Sequence, residues 1–290
     1  MRVCHLTDLH VMRPPAVGDL FGKRLLGSVN LYVLGRKGHF SEESQRGAVD
    51  KALELAPDLV IITGDLTAQA LDSEFEGARA LLDPLLSRVP AVIIAGNHDT
   101  YVAEAARTDR IRATFGQWMG GGSPDLRVFG DVAVLSLETC RAALLSSGYT
   151  PPDQIAKAGA LLAEAPADSF VFLAMHYPLR SRRGEPYGPS TRALSNAAEV
   201  EGWLATTKRI GAILHGHEHH GFRTTVPGAA GPIPILNPGA SGYAWLPQRG
   251  RTAHLNCYEV DGDGIHDVSR FAWDGARFLP EAGGAYASGG

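Results

Sequence analysis

Five short apolar runs in this chain each stop on a side chain that can bind a metal. "VCHLTDLH" closes on Asp8 and His10, "PDLVIITGDLT" on Asp65, and "PAVIIAGNHD" on Asn97, His98 and Asp99. "SFVFLAMHYP" closes on His176, and "GAILHGHEHH" on His215 and His217. Runs of Val, Ile, Leu, Ala and Phe without alternation read as strands buried on both faces. A single Asp or Asn after a strand is ordinarily a turn former. The same ending on one strand after another argues for a common site, because ligands of an open α/β sheet gather beyond the carboxyl ends of its strands.

Helical patterns lie between these runs. "SEESQRGAVDKALELA" starts at Ser41 with acidic residues in its first turn, as a helix start should. "SEFEGARALLDPLLSRV" repeats the pattern until Pro84, which is expected to disturb it. "PPDQIAKAGALLAEA" and "NAAEVEGWLATT" are two more. Strands alternating with helices imply an α/β fold. The C-terminal quarter carries Gly and Pro turns between short alternating runs, and "EVDGDGIHDV" reads as a hairpin around Asp261 to Gly264.

Composition narrows the function. The chain has 290 residues and a formal net charge of -4, which argues against a wholly basic nucleic-acid-binding surface. Cys4, Cys140 and Cys257 form no CxxC pair, so neither a disulfide framework nor a thiolate zinc site is expected. The opening "MRVCHLTDLH" reads as a first strand rather than a signal peptide, and a cytoplasmic protein is expected. A peripheral membrane contact and a homodimer remain open.

The candidate ligands are carboxylate, amide oxygen and imidazole, a set that suits Mn, Fe, Zn or Mg-like ions. They are too many for one ion, and two ions need a shared carboxylate. Asp65, between the two ligand groups in the chain, is the natural bridge.

The ordered motifs "DLH", "GD", "GNHD", a later His and "GHEHH" resemble the calcineurin-like metallophosphoesterase family, over Asp8 to His217. The resemblance implies a four-layer α-β-β-α sandwich, two mixed sheets flanked by helices, with the metals at the strand carboxyl ends. With no linker or repeat in the sequence, one domain is expected over 1–280, with an inserted basic and apolar segment at 11–40 and a flexible tail at 281–290. The resemblance implies that Asp8, His10 and His217 hold one metal and Asn97, His176 and His215 the other, with Asp65 shared. His98 would contact a phosphoryl oxygen or protonate the leaving group, and Asp99 would orient its imidazole. His219 and His220 are read as supporting or surface residues. The reaction implied is hydrolysis of a phosphodiester by attack of a metal-bridging hydroxide. Two ions roughly 3.5–4 Å apart bind the ester oxygens and stabilise the in-line transition state.

Specificity is expected from inserted loops. The segment 11–40 carries Arg13, Lys23 and Arg24, and a second basic loop after His176 carries Arg180 and Arg183. These are the candidate substrate-binding residues, as a basic wall for an anionic ester. For 11–40, a helix packing on the body and a membrane-surface helix are the alternatives. Within the family the chain looks most like bacterial phosphodiesterases related to cyclic-nucleotide phosphodiesterases, with a small phosphodiester or nucleotide-like substrate. The insertion has a likeness to the branch that cleaves UDP-diacylglucosamine in lipid A synthesis. A nuclease without a stable nucleic-acid complex, and a degenerate metal-binding scaffold, are the other readings.

Overall fold

The computed structural model describes residues 1–16, 36–100, 102, 105, 109–141, 147–188 and 191–281. The apolar runs form strands as their pattern predicts. β1 (Arg2–Leu6), β2 (Leu59–Ile62) and β3 (Ala91–Ile93) lie side by side in parallel. β10 (His254–Asp261) joins β1 antiparallel from the far end of the chain, followed outward by β11 (Gly264–Trp273) and β12 (Phe278–Pro280). The expected hairpin closes where Asp261 pairs with Gly264. The second sheet holds β4 (Asp125–Phe129), β5 (Val132–Ser136), β6 (Phe170–Ala174), β7 (Ala212–Leu214), β8 (His220–Val226) and β9 (Ile233–Gly239). Its order is β4-β5-β6-β7-β9-β8, parallel inside and antiparallel at both edges.

Alternation along each strand builds the layers. Val3, Leu59, Ile61 and Val92 point from the first sheet to meet Val134, Phe172 and Leu214 of the second. Cys4, Leu6, Val60 and Ile62 point the other way, under α1 (Glu42–Glu54), α2 (Asp72–Leu86) and α3 (Arg110–Met119). Leu135, Val171, Leu173 and Ile213 pack under α4 (Pro152–Glu164) and α5 (Ala197–Leu204). The result is the four-layer α-β-β-α sandwich. Each such side chain, fully buried, contributes roughly 1.5–3 kcal/mol.

Local signals act as read, with one exception. The Ser41 hydroxyl accepts from the Glu43 and Ser44 amides and caps α1. Pro84 does not end α2, which runs on to Leu86. Pro84 lies on the exposed face of the last turn, while Leu82, Leu85 and Leu86 are buried and hold that turn against the sheet. Cys4 and Cys257 face each other across β1 and β10 as free thiols, with sulfurs 3.7 Å apart.

Residues 17–35 of the expected insertion, including Lys23 and Arg24, and the tail beyond Glu281 lie outside the described residues. Among the described residues no helix is long and apolar enough to cross a membrane.

Candidate metal centre

The loops that follow the strands are bent in an unusual way. Asp8, His10, Asp65 and His217 have φ of 52°, 51°, 55° and 67°. The left-handed region costs an L-residue roughly 1–2 kcal/mol, so four such residues at one edge need fixed partners. They have them: the Asp8 amide donates to the Gly64 carbonyl at 2.9 Å and the His10 amide to the Asp65 carbonyl at 2.9 Å. The His217 amide donates to Asp8 Oδ2 at 3.0 Å. Gly64 and Gly96 permit the closest approach. A Cβ on Gly96 would lie 2.1 Å from the Asp65 nitrogen, and one on Gly64 2.5 Å from the Gly96 nitrogen. Backbone thus lies on backbone, and Asp65 comes beside Asn97.

Two groups of donors meet at Asp65. In the first, Asp8, His10, Asp65 and His219 each place one ligand atom within 4.8 Å of the others. His10 Nε2 is 3.7 Å from Asp8 Oδ1, 3.5 Å from Asp65 Oδ2 and 3.2 Å from His219 Nε2. His219 Nε2 is 3.5 Å from the same Asp8 Oδ1. In the second group, His176 Nε2 lies 3.5 Å from Asp65 Oδ1 and 3.0 Å from Asn97 Oδ1. His217 Nδ1 lies 2.8 Å from that Asn97 oxygen. Asp65 therefore gives one oxygen to each group, which is the geometry of a bridge.

The far sides of two rings fix which nitrogen faces inward. His176 Nδ1 meets the Thr63 carbonyl at 2.7 Å, and His217 Nε2 meets the Arg192 carbonyl at 3.1 Å. Those contacts hold the outer nitrogens, so His176 Nε2 and His217 Nδ1 are the nitrogens that face into the centre.

The calcineurin-like phosphoesterase model matches residues 1–221. The chain belongs to the calcineurin-like phosphoesterase family. No curated protein sequence matches it significantly. A dimetal phosphatase from Danio rerio is similar in structure, with TM-score 0.63 and 12% identity, over 96% of this chain and 98% of that one. A purple acid phosphatase from yellow lupin seeds aligns with TM-score 0.58 and 14% identity, over 96% of this chain. A 5′-nucleotidase precursor from Thermus thermophilus aligns with TM-score 0.50 and 14% identity, over 97% of this chain. The chain spans about half the length of these last two, 52% and 54%.

Calcineurin-like phosphoesterases depend on two metal ions, and the donors here fit a cation on physical grounds. Asp8 Oδ1 is buried with no hydrogen-bond partner, at the middle of the first group. An unpaired carboxylate oxygen out of water is costly unless a cation meets it. Burial by itself would raise the Asp8 pKa, but His10 and His219 beside it hold it well below the usual carboxylate range. Asp65 is also lowered against its burial, by His176 and His98. Burial works to lower the pKa of His176, yet the Asp65 carboxylate overrides it and raises it to about 9. This calcineurin-like centre is a well of negative potential lined by imidazoles, a fit for a divalent cation of borderline hardness.

His98 stands at the rim. Its Nδ1 meets the Ala68 carbonyl at 2.6 Å, its amide donates to Asp65 Oδ1 at 2.7 Å, and its ring is 4.7 Å from that of His10. The Nδ1 proton is thereby committed to the Ala68 carbonyl. Burial pushes its pKa down to about 4, so the resting ring is neutral.

The structure groups several of these side chains differently from the expectation. His219, not His217, completes the group around Asp8 and His10, and His217 takes the place expected of His215 beside Asn97 and His176. His215 Nδ1 is turned to the Gly216 carbonyl at 2.8 Å and its ring packs on Phe222. The left-handed backbone at His217 separates the two, so the side chains of 215 and 217 do not share a direction. Asp99 does not orient His98. Its carboxylate accepts from the Leu66, Thr67 and Gly96 amides and the Thr67 hydroxyl, bracing the loop that presents Asp65. Arg13 is paired with Glu42 at 2.7 Å beside α1, and Arg180 with Glu201 at 2.5 Å on α5. Arg183 is exposed on its loop.

Proposed function

We propose that this protein is a dinuclear-metal-dependent phosphodiesterase acting on a small, nucleotide-like phosphodiester. The observation that carries the reading is Asp65, whose two oxygens face two separate donor groups with His98 alongside. Asp8, His10, Asp65 and His219 would hold one ion and Asp65, Asn97, His176 and His217 the other, with Mn, Fe or Zn suited to these donors. Such a pair supplies Lewis acidity and an activated water when bound.

The chain's own residues do the rest. Asp65 and Asp8 stay ionised against burial because imidazoles surround them. His98, neutral at rest, gains a reason to protonate when an anionic ester comes beside it. Its Nε2 then donates to a phosphoryl oxygen or the leaving group, while the Ala68 carbonyl keeps the ring from turning. The net charge of -4 favours a small ester over a long polyanion.

The test is hydrolysis of bis-p-nitrophenyl phosphate and of p-nitrophenyl phosphate with added Mn, Fe or Zn. It is followed by cyclic AMP, 2′,3′-cyclic nucleotides and a nucleotide-sugar lipid. The diester is expected to turn over faster than the monoester, with activity lost in Asn97→Ala. Faster monoester turnover with every metal would overturn the diesterase assignment.

A further inference from the structure

We infer that Tyr243 is a positioning residue for the first metal-binding group, acting through His219; this rests on the two-metal reading above. Tyr243 follows β9, beyond residue 221 where the family match ends. The chain there turns back onto the loop that carries Asp8 and His10. The Ser241 amide donates to the Thr7 carbonyl at 2.8 Å and the Gly242 amide to the Asp8 carbonyl at 3.3 Å. Gly242 lies so close that a Cβ on it would be 2.1 Å from the Leu9 carbonyl oxygen. This contact delivers Tyr243, 6% exposed, to the back of His219.

There its hydroxyl lies 3.0 Å from His219 Nδ1. The opposite nitrogen, Nε2, faces Asp8 Oδ1. With Nδ1–H donating to the Tyr243 oxygen, the Nε2 lone pair points to the cation position, as the Thr63 and Arg192 carbonyls arrange for the other two rings. Phe40 completes the support. It forms an isolated antiparallel bridge with Tyr243, and its ring lies 4.3 Å from His10 and 5.4 Å from His219. Aromatic packing alone leaves the imidazole tautomer open. The hydroxyl, able to donate or accept, takes the Nδ1–H once a cation occupies Nε2 and so holds the ring in that tautomer.

Among the described contacts, the Tyr243 ring and hydroxyl meet Phe40, His219 and His220, so the effect should fall on one of two binding steps. The experiment is calorimetric titration of the metal-free protein with Mn²⁺, with free Mn²⁺ followed by electron paramagnetic resonance. Tyr243→Phe keeps the ring against Phe40 and removes only the oxygen. Two steps are expected in the natural protein. In Tyr243→Phe one step should weaken about 10–100-fold, the other should hold, and the metal-free Tm should be unchanged. Asn97→Ala should weaken the other step, and the double variant both. If Tyr243→Phe leaves both steps as they were, or weakens both alike with a lower metal-free Tm, the oxygen does not position His219 and the inference fails while the two-metal reading stands. If the natural protein takes up no second ion, the two-metal reading fails and the inference with it.

Discussion

Asp65 is the residue on which both donor groups depend. Asp65→Ala should lower kcat about 10²–10⁴-fold, since several kcal/mol of transition-state stabilisation would pass through the pair of ions it would bridge. It should also remove one of two Mn²⁺ equivalents on titration. Turnover within tenfold of the natural protein would show that the bridge is dispensable. His98→Ala should cost about 10²–10⁴-fold in kcat with both ions retained, because its ring is held by Ala68 and its amide, not its imidazole, touches Asp65. Most of these residues could be read from sequence because each follows an apolar run. His219 could not be placed the same way. "HGHEHH" contains two H-x-H pairs, 215/217 and 217/219, and spacing does not choose between them. The choice is made by the left-handed turn at His217, a backbone angle with no residue signature, since neither Gly nor Asn occupies that position. Tyr243 was beyond sequence reading for another reason: its partner is 24 positions away and meets it only through folding.

At the scale of elements, strand β1 does two jobs, core and site. His5, in its middle, faces the second sheet, with Nδ1 on the Tyr258 hydroxyl and Nε2 on the Thr63 hydroxyl. Burial pushes its pKa from the ordinary 6.5 down to about 3. The unfolded chain therefore binds a proton here that the folded one refuses, between those two values. Stability from this group is complete above pH 6.5 and is lost as pH falls toward 3. The metal-free protein should show a falling Tm from pH 6.5 to 4, and His5→Gln should flatten that slope; equal slopes would remove His5 as a cause. The strand-to-loop transitions are the other weak point. Gly96→Ala places a Cβ against backbone, 2.1 Å from the Asp65 nitrogen, where no side chain can swing aside. It should cost about 1–3 kcal/mol by overpacking and displace Asp65 from Asn97, lowering Tm and Mn²⁺ uptake together. An unchanged Tm would mean the loops can separate. The strands were legible as unbroken apolar runs ending in polar clusters, and most helices by their starts and helical spacing. Helix α3 was passed over: "RIRATFGQWM" carries charges in its first turn, and its capping residue Asp109 makes no side-chain cap bond. Packing of Ile111, Phe115, Trp118 and Met119 holds it.

For the whole molecule, the donors come from both sheets. Asp8, Asp65 and Asn97 follow strands β1, β2 and β3, while His176, His217 and His219 follow β6 and β7. The sheets otherwise meet through apolar side chains such as Val3, Ile61, Phe172 and Leu214, contacts without direction that fix separation better than alignment. Directed bonds to a pair of ions would fix the alignment at one edge, and every such bond would be lost on unfolding. Asp8 and Asp65, carboxylates at 0% and 1% exposure, stay ionised at the metal-free edge through the imidazoles beside them. Metal at about 100 times its Kd stabilises by about 2.7 kcal/mol per site, and about 2–4 °C of Tm accompanies each kcal/mol in a chain near this size. Exhaustive chelation should therefore lower Tm by roughly 5 °C or more, and restoring Mn²⁺ should recover it. In Asp65→Asn the same chelation should move Tm less, since one of the two sites is lost, and the metal-free variant should melt below the metal-free natural protein at neutral pH, because Asp65, held ionised against its burial, forms a favourable buried pair with His176 that Asn breaks. A metal-free Asp65→Asn that melts no lower than its parent would mean that the imidazoles do not offset the buried charge, and that this edge is held by the cations rather than by the protein alone.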